Sequence, residues 1–212
     1  MTDFKPTKEA AEKLAREGLA IRAGIASVTL AWAQIENALV MMLTAILKLH
    51  NYRIPAAIYF TLTSLESRMN IVDAAFRELL EGRLLKEEIL ILWHATFCTL
   101  SRLKVTRNKI AHGQIMHQAR TKKIHMRLTA PMMKYMAHTN LDDGAQLHGL
   151  SANDLEHSAK AAREIASDLE RFEAIAFLAH QETDAALATL RERLRELEVA
   201  RQSRRIQAGQ IR

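Results

Sequence analysis

Between residues 107 and 113 the chain reads Arg-Asn-Lys-Ile-Ala-His-Gly. Its arginine stands where a soluble helix normally places leucine. Arg107 follows Leu100 by seven residues and Leu103 by four. At 100° per residue it therefore falls on the apolar arc of Ile89, Trp93, Leu100, Leu103 and Ile110. Glu36 repeats the anomaly, four residues after Trp32, three before Leu39 and seven before Leu43. An unpaired buried charge costs several kcal/mol, so two opposite charges on inward stripes should meet each other or a ligand. Glu36 is expected to approach Arg107, and by pattern alone this could equally be an ion pair that fixes helix register. Arginine offers a planar fork matched to phosphate oxygens, and histidine a ring that titrates near neutral pH. The chemistry open to Arg107 with His112 is thus anion binding and proton transfer.

Spacing limits how these groups converge. Asn108 and His112 are four residues apart and share one side of a helix, whereas Arg107 and His112 are five apart and diverge by about 140°. Either the long arginine crosses a wide groove, or the helix ends of two chains face each other across a two-fold axis and pool their side chains. The dimer is the favoured arrangement. His94, His117, His125, His138 and His180 have no such setting and read as structural.

Charge reinforces the choice of segment. The chain of 212 residues carries a net charge of +6. No Asp or Glu occurs between Glu88 and Asp142, and residues 101–134 hold Arg102, Lys104, Arg107, Lys109, Arg120, Lys122, Lys123, Arg127 and Lys134. Such a one-sign block projects a positive field and suits a polyanion, although a solvated basic face has the same composition. Lys104, Lys109, Arg120, Lys122 and Lys123 are the candidate contacts for that polyanion.

The elements that must position these residues are mostly helices. Apolar residues make up 49% of the chain against seven glycines and three prolines, which fits a globular helical protein. A first long helix is expected from Thr7 to about His50, weakened near Gly18 and Gly24, with Val28, Trp32, Ile35, Leu39, Leu43, Ile46 and Leu47 inward. A second covers residues 55–81 with Leu62, Leu65, Met69, Val72, Phe76 and Leu79 inward, and Gly82 ends it. The third runs from Lys86 to His112, where Gly113 stops it. A small hairpin is expected over about 114–130, then irregular structure from Pro131 to Leu150. Ser151 and Asp154 resemble a capping box opening a last long helix through Leu155, Ile165, Leu169, Phe172, Ile175 and Leu178, with a continuation past residue 200 open. On that helix Glu164, Asp168 and Arg171 read as an exposed ion-pair face. The expected architecture is all-α: an up-down bundle of four or more helices with a hairpin-like insertion after the motif helix and a long C-terminal helix. Residues 1–200 read as one domain and 201–212 as a basic tail.

Arg107 and Asn108, three further residues and then His112 at the end of a long helix resemble the signature of the HEPN ribonuclease superfamily. The sequence Ala-Trp-Ala-Gln-Ile-Glu ending in Glu36 is similar to a feature of several of its bacterial branches. The resemblance covers residues 20–180 and implies a dimeric bundle with the motif of each subunit lining a cleft at the two-fold axis. It implies metal-independent RNA cleavage, in which a ribose 2′-hydroxyl attacks its own 3′-phosphate to leave a cyclic phosphate and a 5′-hydroxyl. His112 would then move the proton, Arg107 stabilise the transition-state charge, Asn108 position His112 or the phosphate, and Glu36 orient Arg107. No metal or cofactor is required. An antitoxin or another regulatory protein joins RNA and a second copy among the expected partners. The toxin branch that pairs with a nucleotidyltransferase carries a tyrosine two residues after the histidine, where this chain has Gln114, so regulation by modification of that tyrosine is not expected.

The leading expectation is an endoribonuclease of toxin or host-defence type. The alternative is a noncatalytic module that binds nucleotide, RNA or a protein partner through the same cleft. A coiled-coil adaptor fits less well, because Ala and Arg dilute the heptads of the last helix. No Walker-type loop, dinucleotide fingerprint, HExxH or GxSxG sequence occurs. Asp142 and Asp143 precede Gly144 as in a turn. Cys98 is the one cysteine and has no disulfide partner. The mixed-charge N-terminus lacks a secretory pattern, and Gln34, Glu36 and Asn37 interrupt the best membrane candidate, residues 25–47. A cytoplasmic protein without a membrane partner is expected.

Overall fold

A computed structural model describes residues 7–120, 123–129, 149–181 and 183–210. Among them the chain forms α1 (Lys8–Ile46), α2 (Arg53–Thr61), α3 (Leu65–Leu79), α4 (Lys86–Ala111), the antiparallel strands β1 (Gln114–Arg120) and β2 (Lys123–Thr129), α5 (Ala152–Ala179) and α6 (Asp184–Gln210). The expected all-α class with a small hairpin and long C-terminal helices is what these elements make. The irregular segment expected over 131–150 lies largely outside the described residues.

Two expected helices are each broken in two, and local capping explains both breaks. Leu62 is extended at ψ 125°, and the Ser64 hydroxyl then accepts the Ser67 N–H at 3.0 Å, opening α3 after α2 has stopped. Near residue 180, Gln181 N–H bonds the Leu178 carbonyl at 2.9 Å in a tight last turn. The Thr183 hydroxyl then accepts the Ala186 N–H at 3.2 Å to start α6. The segment read as a tail from residue 201 continues α6 as far as Gln210. Ser151 and Asp154 form the expected capping box, with the Ser151 N–H donating to Asp154 Oδ2 at 2.8 Å and the Asp154 N–H to Ser151 Oγ at 3.2 Å.

The chain packs as two compact units, residues 1–32 with 103–162 and residues 33–102 with 163–212. In the first, Ile21, Val28, Ile110, Leu128, Leu155 and Ala159 form the core, with Ile25, Ile115, Met126 and Leu150 against it. Gly24 does not weaken α1; it lets α5 approach. A Cβ at Gly24 would stand 2.7 Å from Leu155 Cβ. Gly24→Ala should therefore lower stability by up to about 2 kcal/mol in a denaturant titration, because overpacking of about 1–3 kcal/mol outweighs a helix-propensity gain of about 1 kcal/mol. A stabilised variant would show that α5 stands further off.

In the second unit Phe76, Trp93 and Phe172 meet edge to face, with ring centroids 5.1 to 5.8 Å apart. Trp93 Nε1 donates to Asp73 Oδ1 at 2.6 Å, and Arg77 pairs with the same carboxylate. α1 has the length and composition of a membrane span, yet its residues Ile35, Leu39, Met42 and Leu43 are fully buried. Its C-terminal carbonyls face His180, whose Nε2 stands 3.0 Å from Ala45 O and 3.1 Å from Ile46 O, a structural task for that histidine. The reading of Glu164, Asp168 and Arg171 as an exposed face needs correction. Asp168 is 1% exposed and binds Arg171 and, 36 residues on, Arg204. Spacing along one helix cannot show a partner arriving from another.

Candidate functional site

The motif occupies the last turns of α4, in the first unit. Ile110 is buried beside Leu128 and fixes the rotation of the helix end. With Ile110 inward, Arg107 is half-buried, while Asn108, Lys109 and His112 are exposed. Arg107 Nη1 donates to Asn108 Oδ1 at 3.3 Å. The His112 N–H closes on the Asn108 carbonyl at 3.2 Å, so the histidine is still part of the helical turn. Gly113 then allows an immediate change from helix to strand. A Cβ there would lie 2.8 Å from both Leu128 Cδ1 and the Lys109 carbonyl.

The hairpin behind His112 is tied down on two sides. Its register runs from Gln114 opposite Thr129 to Arg120 opposite Lys123. Leu128 and Leu150 exchange backbone hydrogen bonds at 3.0 and 2.8 Å, holding β2 against the start of α5. On α1, Glu17 Oε2 accepts the Met126 N–H at 3.0 Å. Arg127 reaches Asp154 at 3.5 Å. Partial burial pushes the Asp154 carboxyl up, but hydrogen bonds from Ser151 and the Arg127 charge outweigh it and hold the group below its ordinary value. A depressed carboxylate pKa contributes stability above the unfolded value, and this is lost as pH falls through the lower folded value, so acid loosens this joint.

Of the candidate RNA contacts, Lys109 is exposed and Lys104 half-buried and engaged. Arg120 and Lys123 form the last pair of the hairpin, their side chains outside the described set together with Lys122. Among the described residues no three His, Cys, Asp or Glu side chains gather as a metal-ligating group.

Glu36 belongs to the second unit, and there its carboxylate has a partner that the pattern did not identify. Its Oε1 is bonded at 2.9 Å by Arg68 Nη1, with both side chains about one-fifth exposed. Arg68 carries the signal that would have found it. It stands three residues after Leu65 and four before Val72 on the inward stripe of α3, a buried cation in search of an acid. The Arg68 Nε also donates to the Leu62 carbonyl at 2.9 Å, and the guanidinium lies 5.2 Å from the Phe60 ring centroid.

Tyr59 is fully buried beside this pair, and its hydroxyl has no hydrogen-bond partner among the described residues. Burial, and then the Glu36 charge, raise its pKa above the ordinary phenol value, so it stays protonated. An orphaned buried hydroxyl is a liability of about 1–3 kcal/mol. Tyr59→Phe should thus leave the melting temperature unchanged or raise it, and a clear loss of stability would reveal a hydrogen bond to that hydroxyl.

Comparison of the chain with protein-family models, curated proteins and solved structures gives no significant match.

Proposed function

We propose that the chain is a metal-independent endoribonuclease of toxin or host-defence type that acts as a homodimer through the ends of α4. The observation that carries this reading is a half-buried Arg107, bonded to Asn108, with an exposed His112 five residues on at the same helix end. The pair sits inside a stretch of sequence free of acids from residue 89 to 141. A phosphodiester at that helix end meets a donor fork and a titratable ring, with no carboxylate of the same segment to repel it.

In the proposed reaction His112 removes the proton of a ribose 2′-hydroxyl as its oxygen attacks the adjacent phosphorus. Arg107 carries the charge that grows on the phosphate oxygens. The P–O5′ bond breaks, and the leaving oxygen takes a proton from water or from the imidazole of a second copy. Asn108 holds the Arg107 head through its side-chain oxygen. Glu36 is engaged with Arg68, and the proposed step does not involve it.

The test is incubation of purified protein with a panel of RNAs in EDTA, beside His112→Ala. Cleavage by the parent and none by the variant supports the nuclease. A folded protein that binds RNA without cleaving it, and loses affinity on Arg107→Ala, is instead a noncatalytic binding module. The 140° divergence of the two side chains within one subunit, a wheel angle from about 100° per residue, is what favours that second reading.

A further inference from the structure

No acidic residue occurs from Asn37 to Leu65, and the middle of this stretch exposes Lys48, His50 and Arg53. The same segment leaves Leu47, Leu49, Tyr52, Ile54, Ile58 and Phe60 between 37% and 61% exposed. α2 is apolar on two faces. Pro55 and Tyr59 turn to the core, while Ile54, Ala57 and Ile58 line an exposed side. Soluble helices put polar residues there, and single exposed apolar residues are ordinary, but here six large ones fall within 14 positions, with Ile54 and Ile58 on one side of α2.

We infer that the α1–α2 turn and α2 dock reversibly on an anionic lipid surface. Aliphatic and aromatic side chains interleaved with cations are the composition by which a segment lies in a membrane interface. The nearest acids along the chain do not neutralise it, since Glu36 is held by Arg68 and Glu66 lies beyond, in the first turn of α3. A second copy across a two-fold axis would set Lys48 and Arg53 against their own images, an arrangement that repels. Nucleic acid would take up the charge but leave the aliphatic surface in water. None of the six apolar residues lines the cavity of about 300 Å³ between Leu80, Ile89, Leu178 and Leu190. This docking is separate from the nuclease reading and stands or falls without it.

Co-sedimentation of the full chain with vesicles tests it. Binding is expected to vesicles of phosphatidylcholine with phosphatidylserine, weak or absent with phosphatidylcholine alone, and falling as salt rises. The exposed double variant Ile54→Ser with Ile58→Ser should keep the parent melting curve and bind about tenfold or more weakly, since affinity scales with buried apolar area. Lys48→Glu with Arg53→Glu, which alters exposed charges alone, should abolish the preference for the anionic lipid. Absence of binding to anionic vesicles, or binding that both double variants retain, overturns the inference. So does a change of oligomeric state in the variants without vesicle binding by the parent, which assigns the surface to a second copy.

Discussion

Replacing His112 by alanine is expected to slow RNA cleavage by roughly 10²–10⁴-fold, the usual contribution of a positioned proton-transfer group. Stability should barely change, because the imidazole is exposed and its backbone stays in the last turn of α4. Arg107→Ala should cost about 10²–10³-fold by removing a donor from the developing phosphorane charge. Arg107→Lys should recover part of this, since lysine restores the charge and not the planar fork. Asn108→Ala frees the arginine head and should act less than either. Initial rates on a fluorescent oligoribonucleotide, with thermal melting of each variant, read these effects. An active His112→Ala protein would remove the histidine from the reaction.

The largest expected change in stability is elsewhere, at Asp168. Its side chain is 2% exposed and stands between Arg171 and Arg204, which are 32% and 27% exposed. Removing one member of a buried charge cluster typically costs about 3–5 kcal/mol, because the remaining charges stay buried without a counter-ion. Both guanidiniums here keep some contact with water, which screens their repulsion and brings the expectation for Asp168→Ala to about 2–3 kcal/mol. Arg204→Met should cost less, as Asp168 keeps Arg171. The loss should concentrate in the second half of α6, which Arg204 fastens to α5, so amide exchange there should rise first. An Asp168→Ala protein within 0.5 kcal/mol of the parent, the scatter of ordinary surface substitutions, would show that the cluster contributes nothing.

Sequence legibility followed the physics of each feature. Long helices with a strong apolar period were readable: Val28, Trp32, Ile35, Leu39 and Leu43 are all buried in α1, as are Ile89, Trp93, Leu100 and Ile110 in α4. Breaks were not, because Ser64 and Thr183 interrupt a period that continues in phase on either side, and only their hydroxyl caps mark the change. Leu47 was expected inside and is 43% exposed, since α1 ends at Ile46 and Lys48 turns left-handed at φ 54°. At the motif, the helical wheel put Arg107 on the inward arc and the structure leaves it half-buried, while the exposure of His112 follows from the rotation that Ile110 imposes. The carboxylate was mispaired for a general reason. Helical spacing tells which residues point inward and not which inward residue of another helix they meet, so Glu36 had two candidate cations and the one on α3 won. Asp168 and Arg204 illustrate the same gap across 36 residues.

In the proposed reaction Arg107 and His112 act on an RNA phosphodiester through its own 2′-hydroxyl. The most direct measurement compares an oligoribonucleotide with the same strand carrying a single 2′-deoxyribose at the cleaved position, in EDTA, with the product ends resolved by mass. A cyclic phosphate and a 5′-hydroxyl are expected from the first, and no cut at that position in the second. Equal cleavage of both strands, or a 5′-phosphate product, would contradict it.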